Sequence, residues 1–307
     1  MSGVEGKIRT GTDRRGVSTR PSTRDPRPSL SYRHLFHAGN FADVFKHALL
    51  TRLLIALNGK ETPYCYLDTH AGTGRYDLRH PWAQKVREYE NGIARLWTRR
   101  DIPGELDSFL SVVRAENPDG SLRFYPGSPL VARRIARPGD RIVLSELNKS
   151  DFEELKTLFA RQRRSAVHLL DGYQALKAFL PPAERRGLVL LDSSFDRARE
   201  FNRIARALKQ AHARWPTGIY AVWYPLMEAP AMRGFARDVT ATGVRKILRL
   251  EFDIASVSPG TIAGCGMLVV NPPWRFDTEA RALLDWLWRA LSSSGGGGFR
   301  VEWLVPE

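Results

Sequence analysis

Between Asn40 and Leu57 the apolar residues Phe41, Val44, Phe45, Ala48, Leu49, Leu53 and Leu54 fall at helical spacing, which predicts an amphipathic helix. The next apolar run, Tyr64-Cys65-Tyr66-Leu67, ends in Asp68 and is followed by Gly72 and Gly74. That order predicts a buried strand feeding a tight turn, the first strand of a parallel sheet. Residues 80 to about 125 interrupt the alternation, with Ile93, Leu96, Trp97, Leu106 and Leu110 at helical spacing, and predict an inserted helical subdomain. Strand-like runs then return at 141–145, 166–170, 187–191, 218–224, 246–252 and 266–270, separated by helical stretches at 150–161, 172–179, 197–213, 229–240 and 277–291. Gly295 to Gly298 precede a last short strand at 299–304. Alternating elements of this kind build an α/β, doubly wound, Rossmann-like sheet.

Charge changes the picture more than size does. The 307 residues carry 47 Lys+Arg against 33 Asp+Glu, a net charge of +14 spread along the chain, which favours a polyanionic partner through release of phosphate counterions. The two cysteines, Cys65 and Cys265, sit inside apolar runs, so neither a disulfide framework nor a Cys-rich zinc site is expected. No apolar stretch is long enough to span a bilayer and the Arg-rich amino terminus lacks an apolar signal core, so a cytoplasmic protein is expected. Residues 1–29, rich in Arg, Ser, Thr, Pro and Gly, predict a disordered basic extension. Residues 30–307 then form one domain carrying the insertion.

The chemistry concentrates at predicted strand ends. Asp68-Thr69-His70-Ala71-Gly72-Thr73-Gly74 places an acid and two glycines where a parallel sheet binds nucleotides, and Asp77 stands where a dinucleotide fingerprint would need its third glycine. Glu146 ends the next strand, where a carboxylate can accept the hydroxyls of a ribose. Asp171-Gly172 ends the one after, where a carboxylate can bond an adenine amine or simply cap a helix. The run Gly187-Leu188-Val189-Leu190-Leu191-Asp192-Ser193-Ser194-Phe195 has the layout of a fourth strand and a catalytic loop. In amino-methyltransferases such a loop usually reads Asp or Asn, Pro, Pro, then an aromatic residue. The carboxylate and the following backbone carbonyl grip the two N–H groups of a conjugated amine and draw its lone pair toward reaction, while the aromatic ring stacks on the base. Here serines replace both prolines and their restriction of φ is gone. Asn271-Pro272-Pro273-Trp274 matches that spelling better, but it follows the last long strand and reads as a strand terminator.

On these residues the sequence resembles the RlmJ family, the 23S rRNA (adenine(2030)-N6)-methyltransferases. The resemblance runs from Leu30 to Glu307. It is carried by Leu30-Ser31-Tyr32-Arg33-His34, Phe36-His37-Ala38-Gly39-Asn40, Tyr66-Leu67-Asp68-Thr69-His70-Ala71-Gly72, Tyr125-Pro126-Gly127-Ser128-Pro129-Leu130, Thr217-Gly218-Ile219-Tyr220-Ala221 and Trp303-Leu304-Val305-Pro306-Glu307. It implies a class I methyltransferase fold with an inserted helical subdomain, using S-adenosyl-L-methionine and no metal on 23S ribosomal RNA. Matching positions imply that His47, His70, Ser128, Glu146, Asp171, Gly172 and Asp192 contact the cofactor, and Gly72 of the glycine turn is expected to meet it as well. They imply that Asp192, Ser193 and Phe195 form the catalytic loop and that Tyr32 meets the RNA. The family has Pro-Pro at Ser193-Ser194 and Tyr at Phe195. That departure keeps open a second expectation, a catalytically impaired relative that still binds RNA and cofactor.

Overall fold

A computed structural model describes residues 1–3, 34–195, 199–254, 264–292 and 296–307. Tyr32 and most of the amino-terminal extension lie outside the described residues. The chain divides into Met1–Ser31 and Tyr32–Glu307, and the second unit holds all the elements below.

In chain order these are α1 (Phe41–Asn58), β1 (Cys65–Asp68), β2 (Arg75–Asp77), α2 (Pro81–Val86), α3 (Ile93–Trp97), α4 (Gly104–Ala115), β3 (Phe124–Pro126), α5 (Ser128–Ile135), β4 (Arg141–Glu146), α6 (Lys149–Phe159) and β5 (Ser165–Leu169). They continue with α7 (Gly172–Phe179), β6 (Gly187–Leu191), α8 (Glu200–Arg214), β7 (Ile219–Pro225), α9 (Ala229–Thr240), β8 (Ile247–Asp253), β9 (Gly264–Val270), α10 (Phe276–Leu291) and β10 (Gly298–Val305).

Eight strands form one sheet in the order β10-β8-β9-β7-β6-β1-β4-β5. The five from β5 to β7 run parallel, whereas β9 is antiparallel to both β7 and β8, and β10 is antiparallel to β8. Both faces are covered, so the interior strands read as unbroken apolar runs, yet the alternation of side chains still sorts them. Tyr66, Ile142, Leu144, Leu188 and Leu190 enter the core with α1, α5 and α10, while Leu67, Val143, Val189 and Leu191 enter the opposite core with α7, α8 and α9. Continuing the same alternation, Asp68, Glu146 and Asp192 fall on the α1 side at the carboxyl ends of β1, β4 and β6.

Helix α1 departs from its expected amphipathic character. Its N-cap Asn40 accepts from the Asp43 N–H, and 14 of its 18 residues are buried, among them Asp43, Lys46, His47 and Thr51. The helix lies between the sheet and the helices α4, α5 and α10, so its polar side has no water to face. The short ribbon of β2 and β3 brackets α2, α3 and α4, and the Gly127 N–H donates to the Gly74 carbonyl (2.9 Å) beside that ribbon.

The rival Asn271-Pro272-Pro273-Trp274 segment is removed from the chemistry by strand direction. Because β9 runs opposite to β7, its end lies at the start of β7, where Asn271 Nδ2 donates to the carbonyls of Pro216 (2.7 Å) and Gly218 (2.8 Å). That edge is opposite the one carrying Asp192. Trp274 points outward, 90% exposed.

Phe45 is fully buried on α1 and stacks on Phe252, with centroids 5.7 Å apart. Phe45→Ala is expected to lower unfolding free energy by about 3–5 kcal/mol, read as a shift in the urea midpoint; a loss under about 1 kcal/mol would contradict the placement of α1 at the centre of the core.

Candidate active site

The carboxyl edge of β1 is built by backbone bonds that tie its turn to both neighbouring strands. Thr69 N–H donates to the Leu190 carbonyl (3.1 Å) and Ala71 N–H to the Ser145 carbonyl (3.0 Å). Glu146 Oε2 accepts from Gly72 N–H (2.8 Å) and Oε1 from Asn148 N–H (2.7 Å). Gly72 needs its positive φ of 60°, and a Cβ there would stand 2.4 Å from the Tyr76 hydroxyl. At Gly172 a Cβ would meet the Thr69 carbonyl oxygen at 2.3 Å, so this glycine lets α7 start directly against the β1 turn.

Asp68 is fully buried, and its carboxyl is pushed up to about 6 by desolvation, against the opposing pull of the nearby Ser128 and Tyr66 hydroxyls. Tyr66 donates to it at 2.8 Å. His70 is held neutral by burial, and its tautomer follows from its neighbours. Thr69 Oγ1 donates its one proton to the Leu190 carbonyl (2.9 Å), so it can only accept from His70 Nδ1 (2.8 Å). The His70 Nε2 lone pair is therefore left as an acceptor.

Asp171 does cap a helix: its Oδ1 accepts from Tyr173 N–H (3.0 Å) and Gln174 N–H (3.2 Å). Oδ2 accepts from Arg203 (2.9 Å), whose guanidinium lies 3.8 Å over the Tyr173 ring. Burial tends to raise this carboxyl, but Arg203 and the two backbone donors outweigh it and hold it below its ordinary value.

His47 and Lys46 arrive from α1. His47 Nδ1 meets the Tyr125 hydroxyl at 2.8 Å, and its Nε2 is buried with no hydrogen-bond partner among the described residues. Burial, with Lys46 beside it, pushes the His47 pKa well down, so the imidazole is neutral. Lys46, 4% exposed, donates to Asp192 Oδ2 (2.6 Å) and Asp43 Oδ1 (2.9 Å). Burial opposes its charge, yet the two carboxylates outweigh that and hold its pKa well above the usual value. Asp192 Oδ1 and the Ser193 carbonyl accept no hydrogen bond from a described residue. The Tyr173 hydroxyl donates to Glu200 (2.5 Å), and the buried Ser193 hydroxyl has no hydrogen-bond partner among the described residues. Phe195 holds a positive φ of 50° and packs on Phe201 (5.0 Å) and edge-on to Trp223 (6.0 Å).

The structure thus brings His70, Gly72, Glu146, Asp171, Gly172, Asp192, Ser193 and Phe195 to the carboxyl edge of the sheet, while Ser128 reaches Asp68 from the start of α5 and His47 stays on α1 beside Lys46. Lys46 and Asp43 are the residues that sequence reasoning missed. The signal available was that both fall inside an otherwise apolar helix, three residues apart and beside His47. Among the described residues, no group of three or more His, Cys, Asp or Glu side chains is placed to hold a metal ion, and no helix is long and apolar enough to cross a membrane.

Comparison with known proteins identifies relatives of the chain. Residues 61–305 match the family described as "Ribosomal RNA large subunit methyltransferase D, RlmJ". The chain is 42% identical over 279 residues to ribosomal RNA large subunit methyltransferase J of Escherichia coli K12, covering 91% of this chain and all of that one. It is 40% identical over 280 residues to the Haemophilus influenzae protein of the same name, with 91% of this chain and all of the relative covered. The crystal structure of a Legionella pneumophila protein, 36% identical, superposes with a TM-score of 0.81 over 87% of this chain and 98% of that one. A basic chain with this mixed sheet, this strand-edge acid set and these relatives belongs to the RlmJ family of ribosomal RNA large subunit methyltransferases.

Proposed function

We propose that this protein methylates the N6 amine of an adenine in 23S ribosomal RNA, the adenine at position 2030, with S-adenosyl-L-methionine as methyl donor. The observation that carries the reading is Asp192: one oxygen is fixed by a buried ammonium, while the other and the next backbone carbonyl have no hydrogen-bond partner among the described residues. The RNA substrate is supported by the family, by the names of the relatives and by the net charge of +14.

The site residues suit that cofactor. The Nε2 of His47, without a partner among the described residues, and the acceptor Nε2 of His70 offer polar atoms, Glu146 and Asp171 each keep spare lone pairs, and Gly72 and Gly172 remove side chains from the turn. His47, His70, Gly72, Ser128, Glu146, Asp171, Gly172 and Asp192 would hold it. Bound there, S-adenosyl-L-methionine supplies an electrophilic methyl group on a positively charged sulfur.

The chain's own residues act on the adenine. Asp192 Oδ1 accepts one N6–H and the Ser193 carbonyl accepts the other, which pulls nitrogen electron density out of conjugation with the ring. Asp192 Oδ1 is also the atom placed to take the proton N6 sheds on becoming a secondary amine. Lys46 holds the carboxylate through Oδ2, and Phe195 offers its face to the base. The acceptor pair is a backbone carbonyl and a retained carboxylate, so exchanging the prolines for serines changes loop stiffness and leaves the acceptors. Tyr32 belongs with the RNA contacts. The proposed enzyme acts in the cytoplasm and without a metal, and a monomer supplies every site residue named above.

Incubating unmodified 23S rRNA with labelled cofactor and mapping the product should place the label on adenine N6; label on a ring carbon or a ribose would overturn the assignment, and competition by DNA or basic peptides would redirect the substrate. Asp192→Ala should lower single-turnover transfer by about 100-fold or more, and unchanged turnover would remove the mechanism. Restoring the prolines, Ser193→Pro with Ser194→Pro, is expected to raise that rate by less than about 10-fold, whereas a far larger gain would mark the native chain as an impaired relative.

Asp68 supplies a pH signature. Its folded pKa of about 6 stands above the unfolded value, so its contribution to stability is complete below about pH 4 and is lost as pH rises through 6. The difference in unfolding free energy between native protein and Asp68→Asn should therefore move by about 2–3 kcal/mol against the native protein from pH 4 to 7, measured by urea titration without cofactor. A flat difference would show that this carboxyl is not desolvated.

A further inference from the structure

Asp43 lies outside the catalytic loop and outside the strand-edge acids, 3% exposed and packed with donors. Its two oxygens have separate duties. Oδ2 accepts from the Gly39 N–H (2.9 Å) and from His34 Nε2 (2.9 Å), which fixes the entry to α1. Oδ1 faces Lys46 Nζ at 2.9 Å. Burial would push this carboxyl up, but His34 and Lys46 outweigh it and hold it well below the carboxylate range.

One ammonium is thus shared by two carboxylates that approach it from different elements, α1 and the loop after β6. Lysine carries three donors on a rotatable head, and nothing intrinsic limits it to one oxygen of a neighbour. Left with Asp192 alone, the ammonium could fork both of its oxygens and occupy the one the adenine amine needs. Asp43 Oδ1 holds the ammonium on α1 at 2.9 Å, and in that position Lys46 bonds Asp192 through Oδ2 (2.6 Å) and not through Oδ1.

Resting on the reading of Asp192 as the amine acceptor, we infer that Asp43 is a positioning residue for methyl transfer, which divides the Lys46 ammonium so that Asp192 Oδ1 stays open to the adenine. A carboxylate that served only to cap α1 would need Oδ2 and its backbone donor; the Oδ1 contact to Lys46 would then be incidental.

Asp43→Asn separates the two duties, since the amide oxygen can keep Gly39 while the amide nitrogen turns toward Lys46 and cannot accept from it. The expected result is a fall in kcat of about 10- to 100-fold with KM for RNA, and Kd for S-adenosylhomocysteine, within about 2-fold of native. In a Lys46→Met background the same substitution should cost less than about 2-fold, because the route through Lys46 is already gone. An equal cost in both backgrounds, or loss of cofactor binding in step with kcat, would overturn the inference in favour of a purely structural role. Should Asp43→Asn fail to fold, the native protein crystallised with S-adenosylhomocysteine and adenosine monophosphate decides: Lys46 on Asp43 and on one Asp192 oxygen is expected, and Lys46 on both Asp192 oxygens overturns it. A native protein that transfers no methyl group to RNA overturns the reading of Asp192 and this inference with it, whereas native turnover matched by Asp43→Asn overturns this inference alone.

Discussion

A charge removed from water must find opposite charge or lose its ionisation, and this constraint organises the centre of the molecule. Helix α1 is enclosed by the sheet on one side and by α4, α5 and α10 on the other. Its ammonium, carboxylate and imidazole therefore bond to protein groups packed around them. Lys46 answers to Asp43 and Asp192, and His47 is forced neutral and leans on Tyr125. Every candidate catalytic contact is downstream of that enclosure, because Asp192 is held by a residue that would point to solvent on an ordinary surface helix.

The same enclosure explains what could be read from the chain. Strand-end acids were legible because side-chain alternation and the apolar run fix where each strand stops: Asp68, Glu146 and Asp192 follow directly from Leu67, Ser145 and Leu191. Asp43 and Lys46 were not, because a polar residue in a helical pattern is normally assigned to water, and the pattern cannot show that the far side of α1 is also covered. The mixed direction of the sheet was hidden for a related reason. The run 264–270 is fully buried whichever way it points, so its composition carries no direction, and only pairing with β7 and β8 settles it. That one fact separates two segments with similar spelling, since strand direction sends Asn271 to the edge opposite Asp192.

Asp171 shows where two readings of one residue turn out to be compatible. The carboxylate caps α7 and pairs with Arg203, yet it stands on the same edge as Glu146 and His70, joined through Leu170 N–H to the Glu146 carbonyl (3.1 Å). Capping sets its orientation at no cost to its remaining lone pairs. Turn glycines work alongside it: Gly72 and Gly172 let loops from three strands interlock closely enough that their backbones bond to one another.

The ribbon of β2 and β3 has a consequence for how such a chain can diversify. Chain leaves the sheet region after Gly74 and re-enters at Gly127, and the hydrogen bond between those two glycines closes the gap. The entropy of closing that excursion is set at its base and grows only slowly with the number of residues beyond it. Evolution or an engineer can therefore lengthen or shorten the connections inside the excursion, provided that α4 keeps its apolar face against α1 and α5.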